Sequence, residues 1–283
     1  MARVCILTDS TAQFHNPVFL GSNRVHVLPI QVKYKNHLHS SSDGFGIRSL
    51  PVSSIDGANP QLHSPSLKVL RKTYLQLGQK YNEIIAILMS KHLGPVITLA
   101  QEAAEAVSGK TFVWVIDSQT TAVGLGLLVQ HAAGAAESGA PTAEIVRQMR
   151  SMIPRIYTLF FTQSLTYLQQ SGFIELEQAI IGEMMRIAPL LLLEKGCPVP
   201  IQKARSARNI LDMVHEFISE FDSLSQIALI QGMPPFKLEY LTLYDRISKE
   251  FPALPFSRYR LDLSLATIFG PRSLGIVAVE ENL

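Results

Sequence analysis

Three short polar segments carry the side chains best suited to chemistry, and each follows an apolar run. Thr8-Asp9-Ser10-Thr11 comes after residues 4–7, Ser90-Lys91-His92-Leu93-Gly94-Pro95 after residues 84–89, and Asp117-Ser118-Gln119-Thr120-Thr121 after residues 112–116. Hydroxyls and carboxylates so placed accept the orphan amides of a following helix, or orient a partner group deeper in a cleft. Capping is the default for each segment by itself. The recurrence of Asp-Ser after two of the three runs keeps the second use open for Asp9, Ser10 and Asp117.

Catalytic readings find less support. General acid–base or nucleophilic chemistry needs a base within reach of a nucleophile, and no spacing in this chain assigns such a pair. A GxSxG elbow, a GxxxxGK[ST] loop and an HExxH helix are all missing. Gly124-Leu125-Gly126 comes eight residues after Ile116 and lacks a third glycine, whereas a phosphate-cradling turn must follow its strand directly. His37 and His39 would share one face of a strand and could begin a metal site, but no cysteine or carboxylate cluster accompanies them. They read as solvated loop histidines, with no metal and no cofactor expected.

The elements that position these segments follow from hydrophobic pattern. Residues 4–7, 84–89 and 112–116 are unbroken apolar runs ending in small polar residues, the mark of strands in a parallel sheet covered on both faces. Between the last two, Leu99, Ala100, Ala103, Ala104 and Val107 share a helix face; after the third, Leu127, Leu128, His131 and Ala135 share another. A further strand over 25–32 contains Pro29, which confines it to an edge or a bulge. Residues 34–65, rich in Ser, His, Gly, Asn and Pro, read as a long loop or excursion. In an open parallel sheet ligands bind beyond the carboxyl ends of the strands, where the three polar segments lie. Gly139, Pro141 and a Thr142 cap open a helix with Ile145, Val146, Met149 and Met152 inward, closed by Pro154. A domain boundary is expected there. Beyond it come a helix over 163–170, an almost wholly apolar helix over 175–188, and an amphipathic helix presenting Ile210, Leu211, Val214, Phe217, Ile218 and Phe221. Strands return over 227–231, over 258–262 with Tyr259 and Leu261 inward, and over 275–279.

Composition bounds the function. Of 283 residues, 47% are hydrophobic and 17% charged, against a usual charged share of about 25%, so the chain can bury a sizeable core and is neither disordered nor a coiled coil. With 25 basic and 23 acidic side chains it lacks the concentrated positive charge of a nucleic-acid surface or a polybasic membrane anchor. Cys5 and Cys197 form neither a disulfide framework nor a CxxC pair, which fits a reducing cytoplasm. The opening MARVCILTDST reaches Asp9 too soon for a signal peptide. Mean hydropathy is +0.19, yet the densest apolar block, residues 187–193, contains Pro189 and falls far short of the ~20 residues of a membrane span. No integral membrane segment is expected, and the apolar surplus must go inside or around a ligand.

Taken together, these residues resemble the DegV family of fatty-acid-binding proteins, over nearly the whole chain. The resemblance rests on Asp9-Ser10-Thr11, on Leu28-Pro29-Ile30, on the stretch Ile116-Asp117-Ser118-Gln119-Thr120-Thr121-Ala122-Val123-Gly124-Leu125-Gly126, on Leu165-Thr166-Tyr167-Leu168 with Gly172-Phe173-Ile174, and on Lys203-Ala204-Arg205. It implies an α/β fold of two domains: an N-terminal parallel α/β sheet domain over 1–153, with a loop or excursion over 34–75 that can reach the second domain, and a C-terminal α/β lipid-pocket domain with a mixed sheet over 154–283. It also implies a non-catalytic carrier holding a fatty acid or other lipid in a buried tunnel between the domains, with a fatty acid kinase as a possible partner. Ile180, Ile181, Met184 and Met185 on the apolar helix could wall that tunnel, where each buried CH₂ is worth ~0.8 kcal/mol; packing into the core explains them equally well.

The head-group positions depart from the family pattern. Its TSxPS stretch matches Leu62-His63-Ser64-Pro65-Ser66, its SSxLSGT loop matches residues 90–96 with Gly94 in place of the carboxylate-binding Ser, the His of HxGPG is Ile268, and the GRI arginine is Phe173. A buried carboxylate without donors is costly or takes up a proton. Lys91 and His92 could supply cationic donors, and His63, Ser64 and Ser90 further hydrogen bonds; alternatively both cations point to solvent, or the ligand has a neutral or smaller head. The expectation is therefore a lipid binder with an altered head-group site and weak coupling to a kinase. The alternative is a DegV-like interaction protein that has lost its ligand.

Overall fold

Strand order in this chain follows from which apolar runs can be covered on both faces, as the computed structural model, which describes residues 3–40, 43–52, 59–235 and 237–281, makes plain. The elements of the first half are β1 (Val4–Asp9), β2 (Val25–Leu28), β3 (Gln31–Tyr34), β4 (His37–His39), β5 (Gln61–His63), α1 (Leu67–Gly78), β6 (Glu83–Leu88), α2 (Val96–Val107), β7 (Phe112–Asp117), α3 (Ala122–Glu137) and α4 (Thr142–Met152). Those of the second are β8 (Ile156–Phe161), α5 (Leu165–Gln170), α6 (Leu176–Met184), β9 (Ala188–Glu194), β10 (Cys197–Ala204), α7 (Ala207–Ser219), β11 (Leu224–Gln231), α8 (Lys237–Glu250), β12 (Phe256–Arg260), α9 (Leu263–Phe269) and β13 (Leu274–Glu280). They form two compact units. One comprises Met1–Gln31, His63–Arg155 and Lys195–Cys197; the other comprises Val32–Leu62, Ile156–Glu194 and Pro198–Leu283.

The first unit is built on a four-stranded sheet, order β2-β1-β6-β7, with every neighbouring pair parallel. The central strands β1 and β6 are buried almost throughout, as expected of apolar runs covered by helices on both faces. At the edge, β7 departs from its expected burial: Phe112 is 70% and Trp114 42% exposed, because an edge strand has a neighbour on one side only, and the Trp114 indole donates to Glu83 at 3.2 Å. The region expected as one strand over 25–32 is two. Pro29 has no amide to continue the ladder, so β2 ends at Leu28 on the edge of this sheet and β3 starts a different one.

The second unit holds a six-stranded sheet, order β10-β9-β8-β13-β11-β12. It is mixed: β8 runs antiparallel to β9 and β13, and β11 runs antiparallel to β13 but parallel to β12. Leu159, Phe161, Leu190, Leu229 and Ile276 of the sheet pack with Ile210, Val214 and Ile218 of α7 and Leu243 and Ile247 of α8 in one apolar cluster. The stretch expected as a loop or excursion over 34–65 adds a small sheet, order β4-β3-β5; within it, residues 41–42 and 53–58 lie outside the described residues. Leu50 from this stretch is buried, and the Pro51 and Val52 carbonyls accept hydrogen bonds from Tyr167 and Ser164.

Two further expectations are corrected. The apolar helix over 175–188 stops at Met184, and the densest apolar block belongs to β9 instead: Arg186 takes a left-handed φ of 52° that no helix continues through. The last parallel strand lies at Phe256–Arg260 rather than over 258–262, with Leu261 buried just beyond it.

Candidate functional site

At the carboxyl ends of β1, β6 and β7 the three polar segments meet, as parallel-sheet topology requires. Asp9 is fully buried. Its Oδ1 accepts from the Thr11 amide at 3.0 Å and the Thr11 hydroxyl at 2.5 Å, and its Oδ2 accepts from the Met89 amide at 2.7 Å. Burial lifts the Asp9 carboxyl above the usual carboxylate range, against the opposing pull of those three donors. Thr121 donates to the Thr11 hydroxyl at 3.2 Å, and the Ser10 hydroxyl receives the Ile30 amide at 2.9 Å. Asp117 Oδ1 accepts the Gln119 amide at 3.0 Å. The carboxylates and hydroxyls of these segments thus lock one strand-end loop to the next.

Ser90 is used in the same way. Its hydroxyl donates to the Gly196 carbonyl at 2.8 Å and accepts from the His92 amide at 3.2 Å. Gly196 has φ of 85°, and a Cβ there would lie 2.3 Å from the Ser90 hydroxyl, so only glycine lets the 195–197 turn approach. Lys91 and His92 are exposed, and Gly94 is half-buried without a side chain to donate. His63 is exposed and Leu62 half-buried. Ser64 stands apart: it is 9% exposed, and its hydroxyl has no hydrogen-bond partner among the described residues. An orphaned buried hydroxyl costs about 1–3 kcal/mol, which a ligand's polar group would remove.

The remaining expected site residues belong to the second unit. Ile268 is buried in α9, a helix with every residue buried, and Phe173 is half-buried just past Gly172, which follows the Ser171 C-cap of α5 with a left-handed φ of 77°. Ile180, Ile181, Met184 and Met185 do not wall an interior. Each is half or more exposed, and the buried residues of α6 are Ala179 and Gly182; Gly182 packs so near Leu165 that the larger side chains must take the outer face. His37 and His39 lie on a strand rather than a loop, with ring centroids 6.3 Å apart and His39 stacked on Phe45 at 3.8 Å. No group of three metal-binding side chains occurs among the described residues.

Sequence reasoning missed a cavity of about 420 Å³ in the second unit. Phe161, Ile187, Ala188 and Ile210 give it apolar walls, and Arg186, Arg205 and Arg272 line it with Glu183, Gln163 and Ser164. Arg205 lies in a segment quoted for the family resemblance, but its two companions sit on other elements far along the chain, and no local pattern links the three.

Known proteins give the same architecture. The DegV family model, described as "Uncharacterised protein, DegV family", matches residues 3–281. Protein DegV of Bacillus subtilis (strain 168) is 23% identical over 279 residues, covering 96% of this chain and 98% of that protein. A DegV domain-containing protein of Staphylococcus aureus (strain COL) is 25% identical over 291 residues, covering 99% and 100%. Among solved structures, the fatty acid binding DegV family protein SAG1342 from Streptococcus agalactiae matches with a TM-score of 0.86 at 20% identity, over 100% of both chains. The Streptococcus pneumoniae Fatty Acid Kinase (Fak) B3 protein, loaded with linoleic acid, matches with a TM-score of 0.81 at 16% identity, over 98% of this chain and 99% of that one. Because the family model runs from the residue before β1 to the residue after β13, and the strand-end Asp-Ser segments fall where the fold brings them together, the chain belongs to the DegV family.

Proposed function

We propose that this protein is a non-catalytic lipid carrier, binding a fatty acid or a related apolar ligand with a head-group site altered from the family pattern. The observation that supports it most is the end-to-end match to a family with relatives solved as fatty-acid-binding proteins, one of them loaded with linoleic acid. No helix among the described residues is long and apolar enough to cross a membrane. We assign the protein to the cytoplasm: both cysteines are free, as a reducing compartment keeps them.

For the head group we favour the first unit. Ser64 offers the donor, since its hydroxyl is buried and unpartnered among the described residues, and Lys91 and His92 supply exposed cationic groups on the loop after β6. Ser90 contributes through its hold on Gly196 rather than by a free hydroxyl. Native protein, purified without added lipid and then denatured, is expected to release about one fatty acid or similar lipid per chain when the extract is read by mass spectrometry. An empty extract, with no uptake of added fatty acids, overturns the proposal. Ser64→Ala separates binding from folding: affinity for a fatty acid is expected to fall about tenfold, while stability holds or rises because an orphaned hydroxyl is gone. A variant that loses stability and keeps its affinity would assign Ser64 to the scaffold.

The GRI arginine of the family is Phe173 here, so a charge-assisted contact open to other members is missing. Acyl phosphate formation in a reconstituted mixture with a bacterial fatty acid kinase and ATP is expected to be about 10- to 100-fold below that of a relative carrying the arginine. Phe173→Arg is expected to raise it, and turnover equal to the relative's would refute the point.

A further inference from the structure

We infer that the arginine-lined cavity of the second unit is a binding site for a phosphate dianion. Three separate elements bring the guanidinium groups to it. Arg186 follows the end of α6 with a left-handed φ of 52°. Arg205 comes directly after β10 and before Ser206, the residue that caps α7. Arg272 sits in the turn between α9 and β13, where the preceding Pro271 is buried and its carbonyl holds the Met233 amide at 2.8 Å. Their backbones are therefore set by the fold and not by one flexible loop.

Charge selects the ligand class. Three arginines and one glutamate line the cavity, which leaves two positive charges, and the Glu183 carboxylate is already engaged with the Thr166 amide at 3.1 Å. Among the described residues none of the three arginines takes part in an ion pair, although arginines elsewhere do: Arg24 with Glu137, Arg147 with Glu144 and Arg246 with Asp212. The three arginines are exposed at the cavity rim, and like charges that outnumber the counter-charge beside them repel one another, which an anion entering among them relieves. A carboxylate offers one charge and two oxygens. A phosphate monoester offers two charges and three oxygens, each able to receive the paired N–H groups of a guanidinium. The start of α7, a helix of 13 residues, adds its positive dipole end on the same side. The apolar walls formed by Phe161, Ile187 and Ile210 leave room beside the anion for an attached alkyl group, so the phosphate could come from a lipid head group or from free inorganic phosphate. The inference stands apart from the fatty-acid reading, since it concerns side chains of the second unit only.

Calorimetric titration of the full chain in low-salt buffer tests it, with inorganic phosphate, dodecyl phosphate and dodecanoate as separate probes. The expected result is saturable binding of a phosphate probe, weakened at least about tenfold by Arg272→Gln and again by Arg186→Gln, with Arg272→Lys intermediate. Dodecyl phosphate binding that is tighter than that of inorganic phosphate and is lost with the arginines would identify a lipid head group, and equal arginine-dependent binding of the two would identify free phosphate; either supports the site. No binding of either phosphate overturns the inference, as does phosphate binding unchanged by the double glutamine variant, or dodecanoate binding that the double glutamine variant weakens as much as it weakens dodecyl phosphate binding. The thermal midpoint of the unmodified protein gives a readout that needs no variant: phosphate should raise it above its value in chloride of equal ionic strength, and an unchanged midpoint counts against the site. Lipid extraction and Ser64→Ala report on the fatty-acid reading separately, so one proposal can fail while the other stands.

Discussion

Asp9→Ala is expected to destabilise the protein by about 3–5 kcal/mol, as read from the midpoint of urea unfolding. The carboxylate is fully buried and receives three donors, from the Thr11 amide, the Thr11 hydroxyl and the Met89 amide. Alanine leaves both amides without an acceptor in a region closed to water, at about 1–3 kcal/mol each. The hydroxyl can still engage Thr121. Asp9→Asn keeps one acceptor oxygen but turns an NH₂ group toward a donor, so about half the loss is expected. Burial raises the Asp9 pKa in the folded state, which makes ionisation less favourable there than in the unfolded chain. The contribution of the acid is then fully present below the unfolded value of about 3.9 and falls as pH rises through the raised folded value. Asparagine does not titrate. The stability advantage of the natural residue over Asn should accordingly narrow as pH is raised from about 4, and a gap that widens instead would refute the assignment.

Tyr167→Ala should cost about 3–5 kcal/mol, while Tyr167→Phe should cost about 0.5–1.5. The ring is fully buried in α5, where its loss opens a cavity that close-packed neighbours cannot fill. The hydroxyl donates to the Pro51 carbonyl at 2.6 Å, and burial holds its pKa well above the usual tyrosine value. Since the hydrogen bond ties residues 51–52 to this helix, Phe should also increase proteolytic cleavage near Pro51 without opening the rest of the second unit. Equal losses for the two variants would mean that the hydroxyl, and not the ring, holds α5 in place.

The parallel sheet was the most legible feature because its strands carry their own signal. The interior strands β1 and β6 are apolar on both faces, and the polar segments after them fall at their carboxyl ends by topology alone. Pro29 points to an edge strand, and β2 does lie at the edge of its sheet, but the single strand expected over 25–32 is two: the missing amide ends β2 and the chain enters another sheet. The block over 187–193 was harder, since an apolar run bears no period that separates strand from helix. Only the left-handed Arg186 ends the helix before it.

Site residues were legible as types and not as roles. Asp9, Ser10, Ser90 and Asp117 could be picked out as polar groups at strand ends, but whether a hydroxyl is free or spent depends on partners such as Gly196, more than one hundred positions from Ser90. Met184 and Ile181 belong to an apolar helix in sequence, yet the close approach of Gly182 to Leu165 decides which face is buried. The three cavity arginines share no period or motif. Their meeting is a product of tertiary structure alone.

Residues 32–62 are made early by the ribosome but complete a unit whose other members begin at Ile156. At about 5–20 residues per second, that stretch must wait several seconds for its partners, with the Pro51 and Val52 carbonyls not yet met by Tyr167 and Ser164. A truncated gene starting at residue 156 would omit it entirely and expose Tyr167 and Ser164 at the places where Pro51 and Val52 belong. The two halves of the polypeptide are thus interleaved in time, and a cut at Arg155 leaves neither half holding a complete unit: the first lacks Lys195–Cys197 and the second lacks Val32–Leu62.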